Sequence, residues 1–301
     1  MKIKTPKKKK TSMRRKKTLK KRRPSLHLST KRPQTGKMSR SKWIAIKPSA
    51  IRLSSGELMN KIITALEEKK PLSVVSVGHT ESFVMAQYKI FPKKYFMNHG
   101  EAKVANKGIT TTGFEHRGIR FPNVKARDEA VEAVRKADIV GYITVLPDGV
   151  LAEKVFEVYD IKLKYTYEAY LRRVIMYSQK EKFEEMLRGR KILLISSIAD
   201  EVKNALDLNL KNRLGFEVVG TISIYGYDEI PRVKQEIAHY EFDLCLLAAG
   251  INAVILAPYI AETYGKVAFD LGLGLWSLST GKVSESPWLT NRIGINTLMK
   301  M

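Results

Sequence analysis

Apolar residues along this chain fall into two recurring patterns. The first is a short, nearly unbroken apolar run, and it occurs at 72–78, 138–144, 191–196, 243–250 and 267–272. A further β-rich run spans 216–225. Runs of this kind read as strands buried on both faces. The second is an apolar face repeating every three to four residues. In 56–70 it is formed by Leu58, Ile62, Ile63 and Leu66, with Ser54 or Ser55 placed to cap and Pro71 to stop the helix. The same period predicts helices over 80–90, 127–137, 165–187, 199–214, 230–240 and 252–264, with Gly189 and Gly215 closing two of them. Residues 91–123 read as a long irregular region with one or two short elements, and 273–301 as turn-rich chain. Strands alternating with helices at this spacing predict an α/β fold: a largely parallel sheet covered by helices on both faces.

Charge changes the picture at one end. From Lys2 to Arg40 there are eighteen Lys or Arg and no acid, and the first acid is Glu57. Residues 41–301 hold 36 basic and 30 acidic side chains, a net of +6, out of +24 for all 301 residues. A mildly basic body therefore follows a strongly basic arm, which excludes a uniformly basic, histone-like protein. Residues 1–42 have too little to bury to offset chain entropy and read as a disordered tail, with one folded domain over 43–301. The tail reads either as a contact for an acidic polymer or anionic membrane surface, or as a solubilising arm. Residues 1–40 contain no aromatic to stack on bases, so no specific nucleic-acid reader is expected. The single cysteine, Cys245, lies inside an apolar run and excludes a disulfide scaffold. No transmembrane-length apolar segment and no secretory h-region occurs, so the expected location is cytoplasmic, peripheral to an anionic surface if the tail binds one.

In parallel sheets, ligands bind beyond the carboxyl ends of the strands, so chemistry is sought there. After the first apolar run comes Gly78-His79-Thr80-Glu81. The glycine admits a phosphate close to backbone, and the following helix start attracts anions. His79 and Glu81 suit a divalent metal, a sugar-nucleotide diphosphate or proton transfer; equally, Thr80 and Glu81 suit a helix cap. A second group, Arg117, Arg120 and Asn123 with Arg127, suits phosphate contacts but also an ordinary solvated loop. Asp270 ends the last strand, and Gly250 opens another helix. The chain contains no G-x-G-x-x-G, no P-loop and no G-x-S-x-G, which argues against common NAD enzymes, P-loop NTPases and serine hydrolases. One cysteine and five scattered histidines argue against zinc.

At these residues the chain resembles the GT-D-fold glycosyltransferases, a family first described as a domain of unknown function. The resemblance runs through 71–81 with Ala86-Gln87, through 118–123 with Arg127-Asp128 and 137–141, through 189–195, and through 243–250 with Ala261 and 265–272. It implies a Rossmann-like α/β domain that transfers a sugar from a nucleotide donor, typically a UDP-sugar, to a glycan or other surface-polymer acceptor. It also implies that an Asp-x-Glu pair helps hold a divalent ion and the donor diphosphate. Here His79 replaces the Asp, while Glu81 matches. Mg²⁺ prefers oxygen ligands and Mn²⁺ tolerates nitrogen better, so a His79/Glu81 site favours Mn²⁺.

The first functional expectation is thus a nucleotide-sugar-dependent glycosyltransferase. Gly78, His79, Arg117, Arg120, Asn123 and Gly250 would contact donor or acceptor, His79 and Glu81 would hold metal, and Glu81 or Asp270 would accept the proton. In one variant the arginines neutralise the diphosphate without metal. The alternative is a catalytically inactive sugar-nucleotide-binding relative, tethered to polyanions by its tail.

Overall fold

The structure is a computed structural model. It describes residues 50–107, 117–144, 147–284, 289–290 and 293–301. The basic tail expected over residues 1–42 lies outside the described residues.

Eight strands form one sheet: β1 (Ile51–Arg52), β2 (Leu72–Val77), β3 (Ile139–Tyr142), β4 (Tyr165–Glu168), β5 (Lys191–Ser196), β6 (Glu217–Ile222), β7 (Leu244–Ala248) and β8 (Val267–Asp270). Their order is β1-β4-β3-β2-β8-β7-β5-β6, and every adjacent pair is parallel. The apolar runs are continuous because both sheet faces are covered. Val75, Val77, Cys245 and Leu247 pack into one core with the helices His79–Ala86, Val124–Lys136 and Ile251–Tyr264. Their alternates Val74, Leu244 and Leu246 pack into a second core with Ser55–Glu67, Lys180–Leu187 and Ala199–Leu206. Cys245 is fully buried, and burial pushes its thiol pKa up.

The first helix starts where its cap predicts. Ser54 accepts the Glu57 amide (3.3 Å), and the Glu57 carboxylate accepts the Ser54 amide (2.8 Å). The expectation of one helix over 165–187 is corrected. Tyr165–Glu168 is β4, followed by a 3-10 turn at Ala169–Arg173 and helices at Ile175–Ser178 and Lys180–Leu187. The reason lies at Tyr167. Its ring covers Gly141 on β3, where a Cβ would come within 2.4 Å, and its hydroxyl meets Ser76 Oγ at 2.6 Å on β2. Alternation across the sheet, not a helical face, decides these four residues.

The helix expected over 80–90 ends at Ala86, because buried Gln87 turns out of it and accepts the Asn123 amide (2.9 Å). Residues 91–107 contain two short helices, Lys93–Asn98 and Gly100–Lys107. Four further elements carry no expectation: strand Ile51–Arg52, helix Pro147–Val158, and helices Leu273–Thr280 and Ile295–Leu298 inside the region read as turns.

The topology places a crevice. From β2 the chain moves to β3 on one side, while β8 lies on the other and β7 beyond it. Such a reversal leaves room beyond the strand ends. Gly78, Gly250 and Gly272 all begin helices there.

Candidate functional site

The site is built from strand ends. Beyond β2, Gly78 precedes helix His79–Ala86, and its amide donates to Glu81 Oε2 at 2.9 Å. That bond turns the carboxylate back towards the strand end. The other oxygen, Oε1, has no hydrogen bond among the described residues, and Glu81 is only 6% exposed. Beyond β7, Gly250 takes φ +55°, ψ −131° and opens helix Ile251–Tyr264. Beyond β8, Gly272 takes φ +50°, ψ −131° and opens helix Leu273–Thr280. This is backbone that glycine alone adopts without strain. A Cβ at Gly250 would lie 3.6 Å from both Glu81 Oε1 and the Arg117 carbonyl, so these three residues meet.

Asp270 is almost wholly buried at the end of β8. Its Oδ2 accepts from Arg172 Nη1 (2.8 Å) and from the Ser76 amide (3.2 Å). Its Oδ1 is buried with no hydrogen bond of good geometry; the Gly272 amide lies near but donates to the Leu247 carbonyl (3.1 Å). Burial pushes the Asp270 carboxyl up to about 6. The Arg172 charge opposes this, Glu81 adds to it, and the Ser76 and Gly272 amides lower it.

Arg172 comes from the 3-10 turn after β4, the segment first read as helix. A Cβ at Gly272 would lie 2.7 Å from its Cζ, and a Cβ at Gly78 would lie 4.0 Å from its Nη2. The guanidinium therefore occupies the space that two glycines leave. Burial alone would lower its pKa, but Asp270 and Glu81 outweigh that and raise it. Neighbouring Arg173 donates to the Ser284 carbonyl (3.2 Å) and stacks on Tyr170 (4.9 Å). It has no carboxylate partner among the described residues, and burial, helped by the Arg172 charge, pushes it down to about 10.

A second cluster borders the first. Glu101 Oε1 accepts from Thr80 Oγ1 (2.5 Å) and Arg117 Nε (2.7 Å). The Glu101 amide donates to His99 Nδ1 (3.2 Å), whose ring stacks on Phe83. His79 and His99 lie 6.5 Å apart by ring centroids. Burial chiefly, then the His79 charge, lowers the His99 pKa, against Glu101. Buried Asn252 donates to the Gly118 carbonyl (3.0 Å), while its Oδ1 has no partner among the described residues.

The expected residues therefore divide. Gly78, Glu81, Gly250, Asp270 and the Arg117 backbone converge, with His79 beside them. Arg120 is exposed and makes no ion pair among the described residues. Asn123 is used as a helix cap, its Oδ1 accepting the Ala126 amide at 2.9 Å. The sequence reading reaches Asn252 only as part of the helix start at Gly250, and it misses Arg172 and Glu101. Only the Arg172-Arg173 pair carried a local signal, and it was absorbed into a supposed helix.

The divalent ion implied by the resemblance would rest on two side chains, His79 and Glu81. Among the described residues no three His, Cys, Asp or Glu side chains are grouped to hold a metal. Asp270 is instead paired with Arg172, whose charge also lies within the field of Glu81.

A family model of GT-D fold-like domains matches residues 53–278. The chain belongs to the GT-D-like family. That span holds all eight strands except the first, and every converging residue named above. Two solved structures are similar to this GT-D-like chain at 15% identity, each match covering 83% of this chain and 88% of the other. One is a selenomethionine-substituted domain of unknown function 1792 (TM-score 0.47). The other is the highly conserved domain of unknown function 1792, reported to have a distinct glycosyltransferase fold (TM-score 0.48). No curated protein matches the sequence. Among the described residues no helix is long and apolar enough to cross a membrane.

Proposed function

We propose that this GT-D-like protein is a glycosyltransferase, moving a sugar from a nucleotide diphosphate donor, UDP-linked by family resemblance, to a hydroxyl of a glycan or glycoconjugate. The observation that carries this reading is the convergence of three glycine-led helix starts on Glu81, Asp270 and Arg172, beyond the strand ends where the sheet reverses. Helix N-termini and glycine backbones suit a diphosphate, and a free carboxylate oxygen beside them suits proton transfer.

In this reading the diphosphate rests against Gly78, Gly250 and Gly272. The acceptor hydroxyl attacks the anomeric carbon, and the bond from that carbon to the diphosphate oxygen breaks, its electron pair leaving with the nucleotide. The hydroxyl proton goes to Glu81 Oε1, which has no other partner among the described residues. Asp270 is too enclosed for that role and positions Arg172 instead. His79 and the Arg117–Glu101 pair border the sugar. The basic tail, residues 1–40, holds the enzyme near an acidic polymer or anionic surface.

Incubating the full chain with UDP-sugars and following UDP release tests this. Slow release with one donor, accelerated by glycan acceptors and cut at least ~10²-fold by Glu81→Gln, is expected. Failure of every UDP-sugar, and of UDP itself, to bind would overturn it.

A further inference from the structure

The donor site proposed above must neutralise a diphosphate, and the described acids do not form a metal centre. We infer that Arg172, clamped by Asp270 between Gly78 and Gly272, is the cation that binds the donor diphosphate, so that nucleotide binding needs no divalent metal. This inference rests on the glycosyltransferase reading and deepens it.

The geometry has three parts. One nitrogen of Arg172, Nη1, is committed to Asp270 Oδ2 at 2.8 Å, which fixes the guanidinium plane. The other two, Nε and Nη2, have no acceptor among the described residues, and the side chain stays 18% exposed. They are donors held ready on the crevice side of two glycines, where any side chain would collide: 2.7 Å from Arg172 Cζ at Gly272, and 2.8 Å from Glu81 Oε2 at Gly78. Two parallel N–H groups match phosphate oxygens.

Charge points the same way. Arg173 adds a second guanidinium with no carboxylate partner among the described residues. Three helix starts add partial positive charge. A divalent ion would compete with Arg172 for Asp270 and Glu81. Displacing the arginine would leave a charge without its partner in a largely buried place. His79 in place of an Asp is coherent with this, because a site neutralised by arginine has no need of the second acid.

The test titrates UDP and UMP into the full chain at about 0.15 M salt, where tail charges are screened, with EDTA or with Mn²⁺. UDP should bind in EDTA within about twofold of its affinity in Mn²⁺, and more tightly than UMP. Arg172→Gln should weaken UDP at least about tenfold and erase its advantage over UMP. A merely structural role would weaken both ligands alike. Arg172→Lys keeps a cation beside Asp270 and so guards against a Gln variant that does not fold. It should weaken UDP at least about threefold with UMP unchanged. UDP binding that requires Mn²⁺ would overturn the inference and leave the transferase reading standing. So would a folded Gln or Lys variant that binds UDP as the native protein does, or that loses UDP and UMP equally. No UDP binding in either condition would overturn both.

Discussion

Two carboxylates lie beyond neighbouring strand ends, near one arginine, and their surroundings set them apart. Glu81 spends one oxygen on the Gly78 amide and keeps the other unpartnered, whereas Asp270 is enclosed and bonded to Arg172 and Ser76. The two should respond differently to isosteric change. Glu81→Gln keeps the Gly78 contact through its carbonyl and should abolish turnover while moving UDP affinity little, a kcat effect separable by steady-state kinetics. Glycines at the crevice should be as intolerant as the charged residues. Gly272→Ala combines φ +50° with a Cβ pressed against Arg172 Cζ. It should cost about 1–3 kcal/mol in chemical denaturation and weaken UDP. Gly100→Ala, where nothing lies within 4 Å, should be neutral or slightly stabilising. At this scale the sequence was half legible. Gly78, Gly250 and Asp270 each lie at the end of an apolar run and Glu81 in the first helical turn after one, and that position alone marks them. Arg172 could not be found this way, because its partner Asp270 lies 98 residues on and only the fold joins them.

Among elements, helix starts border the crevice, and the chain makes them in more than one way. Ser54 and Asn123 cap with side-chain oxygens, while Gly250 and Gly272 begin helices with bare backbone. A side-chain cap fills the anion-binding end, whereas a glycine leaves it open. Asn123 was expected to contact substrate. Its Oδ1 bond to Ala126 predicts instead that Asn123→Ala costs ~1 kcal/mol of stability, read by denaturation, and leaves UDP binding unchanged. Strands such as Lys191–Ser196 were legible because a six-residue apolar run between helical patterns has few other readings. Tyr165–Glu168 was not, because aromatic and β-branched residues before a true helix can be fitted to either period. What settles it is Tyr167 lying on Gly141, a contact between residues far apart in sequence. Helix Pro147–Val158 went unread although Ala152, Val155 and Phe156 show the three-to-four spacing and are buried, because the run is short and lacks a strong cap.

For the whole molecule, the enclosed Asp270 makes stability depend on pH. Its carboxyl is pushed up to about 6 from 3.8, so between these values the folded protein holds a proton that the unfolded chain has released. This contribution is complete below about pH 4 and lost as pH rises through about 6, amounting to up to ~3 kcal/mol. Denaturation of native protein and Asp270→Asn from pH 4 to 7 should show the native protein losing stability relative to the variant as pH rises. The sheet's construction has another consequence. Strands β1, β4, β3 and β2 come from residues 51–168, and β7, β5 and β6 from residues 191–248; in the hydrogen-bond ladder they are joined only through four residues, Val267–Asp270. Among the described strands, the seam is the last to leave the ribosome. Until it does, two half-sheets present unpaired strand edges, which are templates for pairing between copies. The Ser76–Asp270 bond, spanning 194 residues, cannot form earlier. Closing the sheet and completing the crevice therefore wait on the same four residues, and any nucleotide that binds the crevice also reports that the two half-sheets have joined.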